Sequence, residues 1–162
     1  MTDPGAPPGV GGGAPPRVGT AAPVVTLPDT HGTPVTVGGP SARPTLLVFV
    51  PFAFSRTCTA ELTALQAGLD ELGGVRVLAA SCDPAPALRA WATQDGYTFG
   101  LLSDFWPHGA AARAFGVLDE VDGYARRGSF LIGTDGTVRW SLIHPAGQAR
   151  PFAAYRDAVA AL

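Results

Sequence analysis

The chain has 162 residues, 46% of them hydrophobic, and a formal net charge of −2, which suits one domain with a sizeable core. All eleven basic residues are arginine and none are clustered. That leaves no footprint for nucleic acid or an anionic membrane and no lysine for a P-loop contact, a Schiff base or pyridoxal phosphate.

Residues 1–17 are mostly Gly, Pro and Ala, too poor in large side chains to offset chain entropy, so a disordered tail is expected there and a folded domain over 18–162. The GVGGG within the tail has no strand before it or helix after it and is not read as a phosphate loop. The start has no basic, apolar leader, and no later run approaches the ~18 apolar residues of a membrane span, so export and membrane insertion are not expected. Two cysteines, Cys58 and Cys82, are too few for a disulfide scaffold, and a reducing, cytoplasmic compartment is the expectation.

Val24–Leu27 and Pro34–Val37, around Asp29-Thr30-His31-Gly32, predict a hairpin at the edge of the sheet. Thr45–Val50 (TLLVFV), bounded by Pro44 and Pro51, reads as a buried strand. Leu62, Leu65, Leu69 and Leu72 recur at intervals of three and four, which predicts a helix over 58–72 ended by Gly73-Gly74. Val75–Ser81 is the next buried strand, making a right-handed βαβ unit. Asp83-Pro84 opens a helix through Trp91 that ends by Gly96. Tyr97–Leu102 reads as a strand, and Asp104–Phe115 as holding a helix after a break at Pro107. Val117-Leu118 leads to a turn at Asp122-Gly123. Arg127–Gly133 and Thr137–Ile143 flank an Asp-Gly turn and predict a hairpin. Residues 149–162 close the chain as a helix with Phe152, Tyr155, Val159 and Leu162 on one face. The class is α/β, a central mixed sheet flanked by helices, and both cysteines fall at carboxyl ends of strands, where active groups collect in such sheets.

Cys58 sits in the first turn of its helix, where unpaired N–H groups and the macrodipole favour an anion, so its thiol is expected to be depressed toward thiolate. That arrangement fits thioredoxin-like oxidoreductases, but Cys58-Thr59-Ala60-Glu61 has a carboxylate where those carry a second cysteine, which excludes dithiol exchange within the loop. Pro51, Ser55 and Cys58 stand at the spacing P-x-x-x-(T/S)-x-x-C and resemble the active-site motif of the peroxiredoxins. Arg127-Gly128-Ser129-Phe130-Leu131-Ile132 looks like that family's strand bearing the active-site arginine. Trp91-Ala92-Thr93-Gln94 through Phe99, with Leu102 to Gly109, resembles the one-cysteine alkyl hydroperoxide reductase E subgroup.

The resemblance covers 18–162 and implies a thioredoxin-like fold and thiol-dependent reduction of hydroperoxides with no metal or organic cofactor. It implies that Cys58 is the nucleophile, that Arg127 holds its thiolate and the peroxide oxygens, and that Pro51 shields the sulfur. Ser55 stands where threonine is usual and keeps the hydroxyl. The Cys58 N–H, the Ser55 hydroxyl and the Arg127 fork are the expected donors to the departing oxygen. The implied partners are a hydroperoxide substrate and an external thiol or small redoxin, of mycothiol or mycoredoxin type, with a homodimer expected.

Several readings stay open. Ser55 also suits a helix cap, and Glu61 also suits a charge in the first turn. Arg126 and Arg127 point to opposite faces, and the motif selects Arg127, leaving Arg126 as a solvated charge. Cys82 reads either as an inert core thiol or as a resolving cysteine. His31, His108 and His144 have no ligand spacing. Phe105-Trp106-Pro107-His108 suits core, pocket rim or dimer contact. Two other functions fit: a thiol-disulfide oxidoreductase using Cys58 and Cys82, or a peroxide sensor passing oxidation to a partner protein.

Overall fold

The computed structural model describes residues 13–162. Most of the expected tail, residues 1–12, lies outside the described residues. Pro15 and Pro16 are half-buried, and the backbone of Gly13 to Pro15 lies so close to Gly116, at φ 68°, that a Cβ there would collide with it.

In chain order the elements are β1 (Val25–Pro28), β2 (Pro34–Val37), β3 (Thr45–Phe49), α1 (Arg56–Ala67), β4 (Arg76–Ser81), α2 (Ala85–Asp95), β5 (Gly100–Ser103) and α3 (Ala110–Ala114). They continue with β6 (Leu118–Asp119), β7 (Tyr124–Ala125), β8 (Arg127–Ile132), β9 (Val138–His144) and α4 (Phe152–Ala160). A five-stranded sheet runs β5-β4-β3-β8-β9, parallel across its first three strands and antiparallel across the others.

Every residue of β3 is buried because it is the central strand with both faces covered. Its alternate side chains sort into two cores. Leu46, Val48 and Val50 join Leu62 and Leu65 of α1, while Leu47 and Phe49 join Phe115 and Phe130 on the opposite face. The Phe49 ring lies 5.5 Å from Phe115 and 6.2 Å from Phe130, contacts that typically add about 0.5–1.5 kcal/mol each beyond area burial.

Four expectations are corrected. The first hairpin is a separate two-stranded sheet, joined to the large one by a lone bridge from Asp29 to Leu102. The helix expected over 58–72 ends at Gly68, where the Phe152 ring of α4 occupies the space a Cβ would take and so admits only glycine. Leu69–Leu72 then form a 3₁₀ turn that stops at Gly73 with φ 56°. Tyr97 to Phe99 lie outside β5: Tyr97 turns its ring against Trp91 at 5.4 Å and its hydroxyl toward the Thr59 carbonyl at 3.3 Å.

The helix expected over 104–115 shrinks to the five residues of α3. Asp104 stays outside it, buried, its carboxylate accepting the Ala111 and Ala112 N–H groups at 3.0 and 2.9 Å. Burial holds that carboxyl above the usual range, partly offset by those two bonds. The loop between is exposed rather than core, with Trp106 81% and Phe105 49% accessible.

Candidate active site

Strand β3 leaves the sheet at Val50, and Pro51 diverts the chain into a five-residue loop that re-enters as α1. Ser55 is the N-cap of that helix, with extended φ and ψ, and its Oγ accepts the Cys58 N–H at 3.2 Å. Cys58 is therefore in the first turn and fully buried. Its N–H donates to Ser55 in the cap, and the hydroxyl proton of Ser55 remains available.

Val48 pairs with Ser129 in the antiparallel register, so Arg127, two residues earlier on the same face of β8, stands beside the exit of β3. Arg127 is 5% exposed, and its Nη2 donates to Cys58 Sγ at 3.4 Å. Its Nη1 donates to Glu61 Oε1. Its Nε–H is buried without a protein partner among the described residues. The neighbouring Arg126 is half-buried and also lines the pocket.

Glu61, one turn after Cys58, is buried and anchors a second arginine, Arg150, from the loop before α4. The Arg150 backbone N–H and Nε donate to Glu61 Oε2 at 2.8 and 2.6 Å, and its Nη2 to Oε1 at 3.2 Å. Arg150 Nη1 donates to the Gly128 carbonyl at 3.1 Å and to Ser129 Oγ at 3.0 Å. Ser129 Oγ in turn meets the Tyr155 hydroxyl of α4 at 3.0 Å, and burial keeps that phenol above its usual range and hence neutral. Every Glu61 lone pair is thus engaged, which a carboxylate between two buried guanidiniums needs if the cluster is not to be a net cost. The carboxylate and two guanidiniums leave one positive charge in excess beside the sulfur.

Arg150, Ser129 and Tyr155 carry no sequence signal that would have found them. Glu61 was legible only as a carboxylate three residues after Cys58.

Beside these residues lies a pocket of about 660 Å³, lined by Pro51, Ser55 and Arg127 together with Phe52, Tyr124, Ile143 and His144. The Phe52 and Tyr124 rings are 4.9 Å apart. Its walls are mainly apolar, with Ser55 and Arg127 among the polar residues that line it.

Cys82 follows β4 and joins the core on the far face, with Phe49 and Ala80, whereas Cys58 packs with Val48 and Val50 on the near face. The two thiols thus belong to different cores. Burial, then Asp104 and Asp83, push the Cys82 thiol up to about 12, so it stays protonated and a poor nucleophile at neutral pH. Among the described residues no group of His, Cys, Asp and Glu could hold a metal ion, and no helix is long and apolar enough to cross a membrane.

The AhpC/TSA family model matches residues 18–141. Over 144 residues the chain is 43% identical to alkyl hydroperoxide reductase E of Mycobacterium tuberculosis, covering 87% of this chain and 94% of that protein. The peroxiredoxin-like protein from Aquifex aeolicus superposes with TM-score 0.84 at 21% identity over 92% of this chain and 89% of that one, which bears on the fold. Enterococcus faecalis AhpC does so with TM-score 0.78 at 26% identity, over 89% and 90%. With its thioredoxin-like α/β sheet and a match over most of its length, the chain belongs to the AhpC/TSA family and is a peroxidase of the peroxiredoxin type.

Proposed function

We propose that the domain over 18–162 reduces hydrogen peroxide and organic hydroperoxides by a one-cysteine mechanism at Cys58, with Arg127, Ser55 and Pro51 completing the site. The observation that carries this reading is the 3.4 Å contact from Arg127 Nη2 to a buried sulfur in the first turn of α1. The Cys58 thiolate attacks one peroxide oxygen in line, the O–O bond breaks, and hydroxide (from hydrogen peroxide) or an alkoxide (from an organic hydroperoxide) leaves and takes a proton. The product is a Cys58 sulfenic acid; one external thiol condenses with it to a mixed disulfide with release of water, and a second thiol, free or on a small redoxin, displaces Cys58 and leaves as the other half of a new disulfide. A sulfur anion completes the charge of the Glu61, Arg127 and Arg150 cluster, and Pro51 limits water at the sulfur. As charge moves to the leaving oxygen, the Ser55 hydroxyl and the Arg127 fork are the fixed donors.

The placement of Cys82 in the other core, with its thiol held protonated, supports an external reductant over an internal disulfide. Mycothiol or a mycoredoxin is the proposed reductant, on the likeness to the mycobacterial relative, and a cytoplasmic setting goes with it. A homodimer is proposed on the exposed apolar side chains Phe105, Trp106 and Val121; sedimentation that shows only monomer at micromolar concentration would remove it.

The assignment is tested by peroxide consumption with a small thiol as sole reductant. Many turnovers per Cys58 are expected; a single turnover ending in stable disulfides with other proteins would support the sensor instead. Arg127→Ala should slow the peroxide step by roughly 100-fold or more, the usual cost of losing a donor aimed at developing charge. Arg126→Ala, elsewhere in the pocket lining, should cost far less; equal losses would mean the wrong arginine has been assigned. Ser55→Thr should keep both the cap and the hydroxyl, whereas Ser55→Val loses them. Similar second-order peroxide rate constants in the two variants would take Ser55 out of the reaction.

A further inference from the structure

Cys58 is fully buried, yet the proposed reaction needs access first for a small peroxide and then for a bulkier thiol. Cys58 itself does not reach the pocket, whereas Pro51, Phe52 and Ser55 of the loop 51–55 line it. One side chain from outside fastens its backbone: the Ala53 N–H donates to Asp83 Oδ2 at 2.8 Å, across 30 residues. Asp83 is held firmly in its turn. Ser81 Oγ donates to the same oxygen at 2.7 Å, Ser103 Oγ donates to the Asp83 carbonyl at 2.7 Å, and the Asp83 N–H donates to Ser81 Oγ at 3.3 Å. The anchor is thus tied to the ends of β4 and β5.

The fastened loop is under strain. Phe54, next to Ala53, has φ 64° and is the one non-glycine residue at positive φ among the described residues, a conformation that persists only where surroundings impose it. Its ring is half exposed and leans on Trp91 at 6.1 Å. Releasing the Ala53 N–H would let Phe54 relax, carrying Pro51 and Ser55 off the sulfur.

We propose that Asp83 is a positioning residue that latches the catalytic loop closed over Cys58, favouring the peroxide step and restricting thiol access. The proposal rests on Cys58 being the reacting sulfur. Closed, the loop keeps the Ser55 cap and hydroxyl aligned for peroxide; open, it exposes Cys58 or its sulfenic acid to larger reagents.

The test compares Asp83→Ala, which removes the acceptor, and Ala53→Pro, which removes the donor from the other end, with Asp83→Asn, which keeps an acceptor oxygen. Three quantities are read: the hydrogen peroxide rate constant, the rate of Cys58 alkylation by iodoacetamide followed by peptide mass, and the thermal midpoint. Both disrupting variants should lose about tenfold or more in the peroxide rate through misplacement of the loop. Both should gain about tenfold in alkylation through local opening, with little change in thermal midpoint. Asp83→Asn should stay within about threefold of wild type on both rates, since one acceptor remains.

Rates that fall together, or that stay unchanged in Ala53→Pro, overturn the latch, and if Asp83→Ala does not fold the Ala53→Pro result decides alone. A wild type that consumes no peroxide would sink the peroxidase reading, while the alkylation rates would still judge the latch.

Discussion

Cys58→Ser is expected to abolish peroxide consumption while leaving the fold in place. Serine is close in size to cysteine and can occupy the same buried site in the first turn of α1. Its hydroxyl stays protonated at neutral pH, so no strong nucleophile stands under Arg127 even though the pocket, the Ser55 cap and the guanidinium remain. The check is initial peroxide consumption with a small thiol, alongside far-ultraviolet circular dichroism to confirm folding. Retention of even a tenth of the wild-type rate would contradict Cys58 as the reacting sulfur.

Glu61→Ala should be the most destabilising single change at the site. Glu61 is the shared partner of Arg127 and Arg150, which are only 5% and 3% exposed. Removing it leaves two buried like charges facing one another with no anion between them. Breaking a buried ion pair from one side typically costs about 3–5 kcal/mol, mostly as the penalty for the stranded charge. Urea unfolding reads that loss directly, and a drop below about 1 kcal/mol, the value of an exposed pair, would mean water reaches the cluster. The peroxide rate should fall as well, since Arg127 loses the bond that aims its fork at the sulfur.

Local signals foretold the elements that such signals control. The apolar run of β3 between two prolines and the Asp-Gly turn between β8 and β9 each specify an element without outside help, and the leucine spacing marks the buried face of α1 through Leu62 and Leu65. The motif spacing likewise selected Cys58, Ser55 and Arg127, which the fold brings together at the exit of β3. What stayed hidden depends on long-range contact. Arg150 lies 89 residues from Glu61 and follows no repeat or spacing, and the Ser129 to Tyr155 hydroxyl pair exists only because α4 docks on β8.

Tertiary contacts also overrode local preference where the expectations failed. Leucine periodicity runs on to Leu72, but α1 stops at Gly68, against which Phe152 packs from the distant α4. A buried Asp104 caps α3 from seven residues away, and no propensity scale anticipates that.

The most direct measurement is peptide mass after one equivalent of hydrogen peroxide in the presence of dimedone. The one-cysteine mechanism predicts a dimedone adduct on the Cys58 peptide with Cys82 still a free thiol, and normal turnover by Cys82→Ser with an external thiol. Disappearance of both thiols together as an internal disulfide, with no adduct, would contradict it and make Cys82 the resolving cysteine.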